Sequence, residues 1–380
     1  MVLKIPFNRP ACLGNELEYV ADAFARGHIS GDGEYTRRAT ELLEEALGSR
    51  VLLTTSCTHA LELAALLLNI SPGDEFIVSP FTFPSTVNAF VLRGASPVFV
   101  DIRSDTLNVD ERELERHITS KTKAIVAMHY GGVACEMDRL GRIADDHGIP
   151  IVEDNAHGLF GKYGGRYLGT FGCLAALSFH ETKNFTCGEG GALLMNDDRF
   201  RERAEIIREK GTDRSRFVRG EIDKYGWVDV GSSYVLSDVL AAILFAQLQK
   251  REYVQARRRH LWMTYAEALA EWAEGNGVGL PARWGADVES AYHLFYVLMP
   301  SHDGQQGLIG HLRNRGIGGT FHYLPLNRSA MAQRLNGLVT RCPIAESVSE
   351  RLVRLPFFTA LGDDDLASVI KSVRCFNARR

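Results

Sequence analysis

Between residues 50 and 210, short runs of apolar residues alternate with longer segments in which apolar residues recur every three or four positions. The short runs predict strands and the longer segments predict helices. Because the strands are apolar throughout rather than alternating, they indicate a mostly parallel sheet with helices on both faces. The predicted strands are 51–55, 75–79, 97–102, 123–129, 149–154, 175–179 and 192–196, and the predicted helices are 57–69, 85–93 and 136–148.

The pattern becomes long and helical over 237–272. Beyond this stretch, two apolar runs at 292–299 and 319–324 predict strands, with helices between and after them. We therefore expect an α/β protein with a large domain covering 1–250 and a small α+β domain covering 251–380. The N-terminal segment is expected to pack toward the small domain.

Composition and charge exclude several classes of protein. The 380 residues are 45% apolar and 24% charged, with a formal net charge of −4, as in soluble globular proteins that have no affinity for nucleic acid or anionic membranes. No apolar stretch reaches the roughly 18 residues that a membrane span needs. The seven cysteines are scattered without a CxxC pair, which favours a reducing compartment. We therefore expect a cytoplasmic protein without a structural metal.

Ligands of open α/β sheets bind beyond the carboxyl ends of the strands, and three strand ends carry reactive groups. The strand 149–154 ends in Glu153 and Asp154, and His157 follows. A carboxylate at the rim of a dry core needs a cationic partner to stay ionised. Taken alone, the same carboxylate also fits a helix cap or an ion pair to a neighbouring helix.

Lys183 is the second candidate. It is one of only nine lysines, and it alone follows a buried strand, with Ser178 five residues before it. A partly desolvated lysine has a lowered pKa and becomes a nucleophile toward carbonyl carbons. A solvated loop lysine is the plainer alternative for this residue taken singly.

The third strand end is the segment 54–58, TTSCT, between a predicted strand and a predicted helix. Free N–H groups at a helix N-terminus, assisted by small hydroxyls, bind phosphate. Simple capping of the helix by Ser56 or Thr58 is the alternative.

A phosphate site, a buried carboxylate and a nucleophilic lysine are together the protein groups that pyridoxal 5′-phosphate (PLP) requires. Phe83, after the strand 75–79, offers an apolar face for the ring of that cofactor, although core packing would explain it equally well. No competing motif is present, because the sequence has no HExxH, GxGxxG, GxxxxGK[ST] or GxSxG.

The stretches SCTHALELAALLL, EDNAHG and SFHETKNFTCGEGGALL resemble the DegT/DnrJ/EryC1/StrS family of sugar aminotransferases. These are PLP-dependent enzymes of fold type I that act on nucleotide-linked keto-sugars, and the resemblance runs from IPFNRP to RLPFF. It implies that Lys183 forms the Schiff base with the cofactor and that Asp154 pairs with the pyridine nitrogen. It also implies that His157 approaches the ring oxygen O3′.

For the remaining cofactor contacts, the resemblance implies that Ser178 and the backbone around Cys57–Thr58 hold the phosphate while Phe83 stacks on the ring. Family members are homodimers with shared active sites, and here GSSYVLSD would deliver the partner's Ser233 to the phosphate. Many relatives have an asparagine at that position. The adjoining run 239–248 is apolar around most of a helix, and the resemblance implies that the partner subunit covers its outer side.

The resemblance implies dTDP-4-keto-6-deoxyglucose as amino acceptor and L-glutamate as donor. Arg214, Lys224 and Tyr225 belong to a basic loop that could close on a diphosphate, although a solvated charged loop fits as well. His322 and Tyr323 follow a predicted strand that faces the sugar in relatives, and a structural tyrosine is the alternative. No residue fixes the configuration at C4 of the product.

Several other functions share parts of this pattern. A sugar 3-aminotransferase would use the same residues, whereas a PLP-dependent sugar 3-dehydratase replaces the Schiff-base lysine with histidine. A cysteine desulfurase or an aldolase-type PLP enzyme would act on a free amino acid. A non-catalytic regulator with a PLP fold usually carries an added DNA-binding domain, for which this chain has no room.

Overall fold

A seven-stranded sheet forms the centre of the larger lobe in this computed structural model, which describes residues 3–336 and 340–378. The strands, numbered along the chain, are β1 (Arg50–Thr54), β2 (Glu75–Val78), β3 (Ser96–Phe99), β4 (Thr122–Met128), β5 (Ile151–Asp154), β6 (Lys162–Tyr163), β7 (Arg166–Tyr167), β8 (Leu174–Ser178), β9 (Gly191–Met195), β10 (Val288–Glu289), β11 (Tyr296–Leu298) and β12 (Leu352–Arg354).

The large sheet has the strand order β1-β9-β8-β5-β4-β2-β3. Strands β3, β2, β4, β5 and β8 are parallel to one another, and β9 runs antiparallel to both of its neighbours. The mostly parallel sheet predicted from the apolar strands is therefore confirmed. Its consequence for function is that the carboxyl ends of β4, β5 and β8 meet at one edge.

Helices cover the sheet and build the second lobe. They are α1 (Glu16–Ala25), α2 (Glu34–Leu47), α3 (Cys57–Leu67), α4 (Pro84–Val91), α5 (Met137–His147), α6 (Arg201–Arg208), α7 (Arg214–Val218), α8 (Asp238–Leu248), α9 (Arg251–Asn276), α10 (His302–Asn314), α11 (Ala330–Asn336), α12 (Pro343–Arg351) and α13 (Asp363–Arg374). Within the described ranges, no helix combines the length and apolar character of a membrane span.

Two of the predicted elements differ in the structure. The helical stretch 237–272 is two helices, because the chain turns between α8 and α9 at Gln249–Lys250. The run 319–324 is not a strand, and only Thr320 pairs there, with Arg354. The apolar character of this run has a different cause, since Phe321 is largely exposed and Tyr323 faces a cavity rather than a sheet partner.

Helix α8 is covered within its own chain. It packs against α1 and α2, and Ala241, Ala242, Leu244 and Phe245 are buried in a cluster with residues of those helices and of the sheet. Its N-terminal Asp238 accepts hydrogen bonds from the first turn of α2, at 2.7 Å from the Thr36 amide. The expectation that a partner subunit supplies the outer cover of this helix is therefore wrong: two earlier helices do so.

A second core lies outside the large sheet. Its members come from α9, α10, α13 and the two-stranded sheet of β11 and β12, together with Ile5 from the N-terminal segment. Ile5 pairs with Ile317 in a parallel bridge. The core of the large sheet also takes in Leu294, Tyr296 and Leu352 from this lobe, so the two lobes share packed side chains. A domain limit at residue 250 stays a prediction.

Candidate active site

A cavity of about 590 Å³ opens at the carboxyl ends of β4, β5 and β8. The last residue of each of these strands lines it: Met128, Asp154 and Ser178. The starts of α3 and α4 form one wall, and the second lobe forms the other. The cavity brings together most of the residues that the sequence singled out, namely Ser56, Cys57, Thr58, Phe83, Asp154, His157, Ser178, Lys183, His322 and Tyr323.

Asp154 is buried at the end of β5, and its carboxylate is held from two sides. Thr86 in α4 donates its hydroxyl hydrogen to Oδ2 over 2.6 Å, and the amide of Ala156 donates to Oδ1 over 3.1 Å. Thr82 in turn lies 2.8 Å from the Thr86 hydroxyl. These two hydrogen bonds fix the direction of the carboxylate, so the site presents an oriented carboxylate to a ligand.

The neighbouring Glu153 has a structural role. Successive side chains of a strand point to opposite faces, and Glu153 is fully buried on the side away from the cavity. It accepts hydrogen bonds of 2.7 Å each from the amides of Gly169, Phe171 and Gly172, and it pairs with His129 over 2.9 Å. Of the two carboxylates at the end of β5, Glu153 is therefore the one that makes an ion pair, with His129, whereas Asp154 faces the cavity.

Lys183 follows β8 in a tight turn that returns at once to β9, where the Phe179 amide donates to the Gly190 carbonyl over 2.8 Å. Burial lowers the pKa of Lys183 to about 8. The charge of Asp154 opposes this shift, and that of Arg354 adds to it. At pH 7 roughly a tenth of this amine is therefore neutral and nucleophilic, far more than for an ordinary lysine.

The start of α3 forms the end of the cavity nearest to Ser178. Ser56 caps the helix by accepting a hydrogen bond of 3.1 Å from the His59 amide, so the amides of Cys57 and Thr58, which belong to the first turn, lack intrahelical acceptors. A side chain at Gly191 would place its Cβ 2.3 Å from the Cys57 nitrogen. Glycine at that position therefore lets β9 lie against this helix end.

Histidines and tyrosines form the opposite wall. Tyr323 lies with its hydroxyl 3.4 Å from Nε2 of His157, and His322 accepts or donates at 3.0 Å to the Tyr130 hydroxyl. Burial lowers the pKa of His157 and His322 well below the ordinary histidine value. Both rings are therefore neutral at physiological pH and act as polar, uncharged walls.

Four of the candidate residues lie elsewhere. Ser233 is exposed and pairs with Glu209 in an isolated bridge, whereas Arg214, Lys224 and Tyr225 lie exposed on the segment 211–230. None of the four lines the cavity of its own chain. Two arginines of the same loop, Arg216 and Arg219, are already paired with glutamates of α6 and with Glu221.

The cavity also contains residues that the sequence did not single out. Thr86 belongs to the same FTFPST segment as Phe83, so its place after a strand was a usable signal. His293 and Arg354 come from the second lobe. Because they reach the cavity only through packing of distant segments, no local pattern marks them.

The donor set fits PLP. An oriented carboxylate suits a protonated pyridine nitrogen, a buried amine of lowered pKa suits an aldehyde, and a helix N-terminus with nearby hydroxyls suits a phosphate. Fold and site together define a PLP-dependent transferase of fold type I. The model of the DegT/DnrJ/EryC1/StrS aminotransferase family matches residues 12–374. The chain belongs to this family and is a PLP-dependent sugar aminotransferase.

Known proteins match over nearly the whole chain. An uncharacterised protein of Methanocaldococcus jannaschii, MJ1066, is 34% identical over an alignment of 379 positions that covers 97% of this chain and 97% of that protein. The aminotransferase TlmJ of Streptoalloteichus hindustanus is 30% identical, with a TM-score of 0.90 over 97% of this chain and 98% of that one. The putative sugar aminotransferase Spr1654 of Streptococcus pneumoniae, solved in its PMP form, is 27% identical, with a TM-score of 0.91 over 98% of each chain.

Proposed function

We propose that the chain transfers the amino group of L-glutamate to C4 of dTDP-4-keto-6-deoxy-D-glucose, giving a dTDP-4-amino-4,6-dideoxyhexose and 2-oxoglutarate. The observation that carries the chemistry is the joint placement of Lys183 and Asp154 in one cavity. The choice of acceptor and donor is supported by the end-to-end sequence resemblance. When bound, PLP supplies an aldehyde that accepts the amino group and a ring that withdraws electrons from the adjacent carbon.

Lys183 has two tasks in this reaction. Its amine would hold the cofactor, and the same amine would carry a proton to or from the reacting carbon. Both tasks need an amine that changes protonation state near neutral pH, which a pKa of about 8 provides. The lysine can reach both positions because its turn lies at the strand end, directly below the cavity.

Asp154 keeps a proton on the pyridine nitrogen. Its two hydrogen bonds, from Thr86 and from the Ala156 amide, fix the direction in which the carboxylate faces. Preorganised charge of this kind needs no rearrangement when electrons move into the ring. His157 and Phe83 also line the cavity, and on this assignment His157 would approach the ring oxygen O3′ while Phe83 would stack on the ring.

The phosphate is assigned to Ser56, to the first-turn amides of Cys57 and Thr58, and to the Ser178 hydroxyl. In a homodimer, Ser233 of the partner subunit would add a further hydroxyl. An uncovered apolar surface supports association: Phe217, Val218, Tyr225, Trp227, Val228 and Val230 are all largely exposed on the segment 211–230. Surfaces of this kind mark protein interfaces. On this assignment, Arg214, Lys224 and Tyr225 act at the active site of the partner.

The sugar is assigned to the wall formed by His322 and Tyr323. The Tyr323 ring lies 6.4 Å from the Phe83 ring across the mouth of the cavity, so a hexose entering there would meet both. A sugar 3-dehydratase reaction is disfavoured because Lys183 is retained. A sugar 3-aminotransferase differs only in which carbon of the sugar faces the lysine.

Product analysis tests this assignment. The purified, PLP-loaded protein is incubated with dTDP-4-keto-6-deoxyglucose and L-glutamate, and the sugar nucleotide is identified by NMR. We expect nitrogen at C4, together with 2-oxoglutarate in equal amount. A Lys183→Ala variant serves as the control without turnover. An amino group at C3, or no amino sugar at all, would refute the proposed acceptor.

A further inference from the structure

A second cavity, of about 370 Å³, lies between the two lobes and has no lining residue in common with the active-site cavity. Segments that follow β3 and β4 form one side of it, and α9, β11 and the segment 281–288 form the other. Tyr130 lies at the boundary, since it lines the second cavity while its hydroxyl lies 3.0 Å from Nδ1 of His322. The proposed transamination uses none of the residues that line this second cavity.

Two buried polar side chains line the second cavity with their polar atoms unpaired. Tyr296 is 5% exposed and Trp262 is 4% exposed. In the part of the chain that the structure describes, no group hydrogen-bonds to the Tyr296 hydroxyl or to the Trp262 indole N–H. Elsewhere the fold does satisfy such groups, because Tyr265 and Trp272 each donate to a backbone carbonyl, over 2.9 and 2.8 Å. Buried polar groups are rarely left without a partner, so these two are available to a ligand.

The cations of the second cavity are paired or exposed. Arg103 donates to Asp105 over 2.7 Å and to the buried carboxylate of Glu111 over 3.1 Å. Its charge is therefore balanced within the fold. Arg283 lines the cavity from the segment 281–288 and is exposed to solvent. An anionic ligand would therefore meet no desolvated, unpaired cation among the lining residues.

The carboxylates that line the second cavity are different, because two of them are unpaired. Glu136, directly before α5, and Asp287 both line it, and neither forms an ion pair with another described residue. Their charge acts on the phenol of Tyr163, which also lines the cavity. Burial raises the pKa of Tyr163, and the carboxylates of Glu136, Asp138 and Asp287 raise it further. This end of the cavity therefore carries negative charge that the fold leaves unbalanced.

Aromatic rings form another part of the wall. The centroids of Trp262 and Trp284 lie 4.9 Å apart, with their planes inclined by 53°. No lysine or arginine among the described residues lies over either ring, as Arg354 does over Phe7. Aromatic faces beside free carboxylates suit an organic ammonium ion. A bare metal ion fits less well, because the described residues contain no group of three metal-ligating side chains.

We propose that the second cavity binds an organic ammonium ion, with its charge at Glu136 and Asp287 and its hydrocarbon part on Trp262 and Trp284. The Tyr296 hydroxyl and the Trp262 N–H are then available to polar substituents of the ligand. Because the two cavities have no lining residue in common, the ion binds while the cofactor occupies the active site.

Calorimetric titration with choline tests this proposal. Choline carries a quaternary ammonium without an N–H, so it cannot condense with the aldehyde of PLP. Its neutral carbon analogue, 3,3-dimethyl-1-butanol, has the same shape without the charge. At constant ionic strength, we expect the PLP-loaded protein to bind choline with a Kd of about 1 mM or lower, and the alcohol at least about tenfold more weakly. Absence of choline binding, or equal binding of the two compounds, would overturn the proposal.

Variants show where choline binds. Glu136→Gln and Asp287→Asn should each weaken binding about threefold, and together about tenfold. Trp284→Leu removes a half-buried ring and keeps both carboxylates, and it should weaken binding at least about threefold. Asp146→Asn is the matched control and should change nothing, because Asp146 is an exposed carboxylate of α5 outside the cavity. If every variant binds choline as the wild type does, choline binds elsewhere and the proposal is wrong.

A titration with succinate covers the opposite charge. Binding of succinate that Arg283→Gln abolishes, without any binding of choline, would assign the second cavity to anions and overturn the proposal. These measurements need no turnover, so their outcome does not depend on the sugar or the amino donor that the enzyme uses.

Discussion

His293 lies parallel to His157, with their ring centroids 4.0 Å apart and their planes inclined by 21°. Nδ1 of His293 also faces the side-chain oxygen of Asn184 over 2.9 Å, and Asn184 donates to the Ala291 carbonyl over 2.7 Å. The residue that follows Lys183 is thus tied to the ring that supports His157. Because burial lowers the pKa of both histidines well below the ordinary value, the stack is uncharged at neutral pH.

We predict that His293→Phe lowers kcat by about tenfold, or roughly 1.4 kcal/mol in the barrier. Phenylalanine keeps the stacking surface but leaves the Asn184 amide oxygen without its partner, so that the turn carrying Lys183 is held less firmly. Single-turnover rates with L-glutamate measure the effect. His302→Phe, on the exposed first turn of α10, is the matched control. Unchanged rates in both variants would show that the Asn184 contact does not position the lysine.

Asp154→Asn should retain PLP and lose most of the catalytic rate. A neutral amide cannot stabilise the protonated pyridine nitrogen, and we expect on the order of a hundredfold or more in kcat, which is about 3 kcal/mol. Thr86→Val keeps the charge and removes one orienting hydrogen bond, so its loss should be smaller, about tenfold. Rapid-quench measurement of each half-reaction checks both values. A near-wild-type rate for Asp154→Asn would reduce Asp154 to a structural cap.

Lys183→Met should stabilise the cofactor-free protein at pH 7. The pKa of Lys183 is about 8 in the folded chain against the ordinary value of 10.5, so the unfolded chain binds more protons between these two values. Stability contributed by this group therefore rises with pH, and the cost of the buried ammonium is complete below about pH 8 and gone above 10.5.

Urea denaturation of apo wild type and Lys183→Met at pH 7 and pH 10 measures this difference. The variant should be the more stable at pH 7, and its advantage should shrink at pH 10. Lys371→Met, at an exposed site on α13, should show no such change between the two pH values. An advantage that does not depend on pH would mean that Lys183 is not desolvated.

Association should depend on the segment 211–230 and not on α8. Trp227 is 81% exposed, and if a partner covers it, Trp227→Asp should weaken the dimer and the retention of PLP together. Sedimentation equilibrium at micromolar concentrations gives the assembly state. Ile243→Asp is a poor test of association, because Ile243 packs against the core shared by α1, α2 and α8. A wild-type monomer with full PLP occupancy would refute the shared site.

A local sequence pattern was enough to predict a candidate residue where the same short segment forms a strand and supplies the reactive side chain. Asp154 ends an apolar strand and Lys183 follows one, so the rule that ligands bind at strand ends predicted the edge of the sheet at which the cavity holds both. The apolar pattern did not predict the break between α8 and α9, and it wrongly predicted a strand at 319–324. The reason is that apolar side chains there line a helix junction or a cavity. Arg354 was missed for a related reason, because it reaches the cavity only after β12 has packed against the large lobe.

The pairing of Ile5 with Ile317 also bears on the order in which the cavity is completed. In the same N-terminal segment, the ring of Phe7 lies 4.7 Å from Cζ of Arg354, which lines the cavity. Ile5 exchanges backbone hydrogen bonds with Gly316 and Gly318, at 3.0 and 2.8 Å, so the beginning of the chain binds segments close to its end. A ribosome makes residues 5–7 first, yet they find their partners only when almost the entire chain has emerged. Closing so long a loop is entropically costly and slow. The cavity wall that the N-terminal segment supports therefore depends on contacts that become available late in synthesis, whereas the strands that carry Asp154 and Ser178 are made earlier.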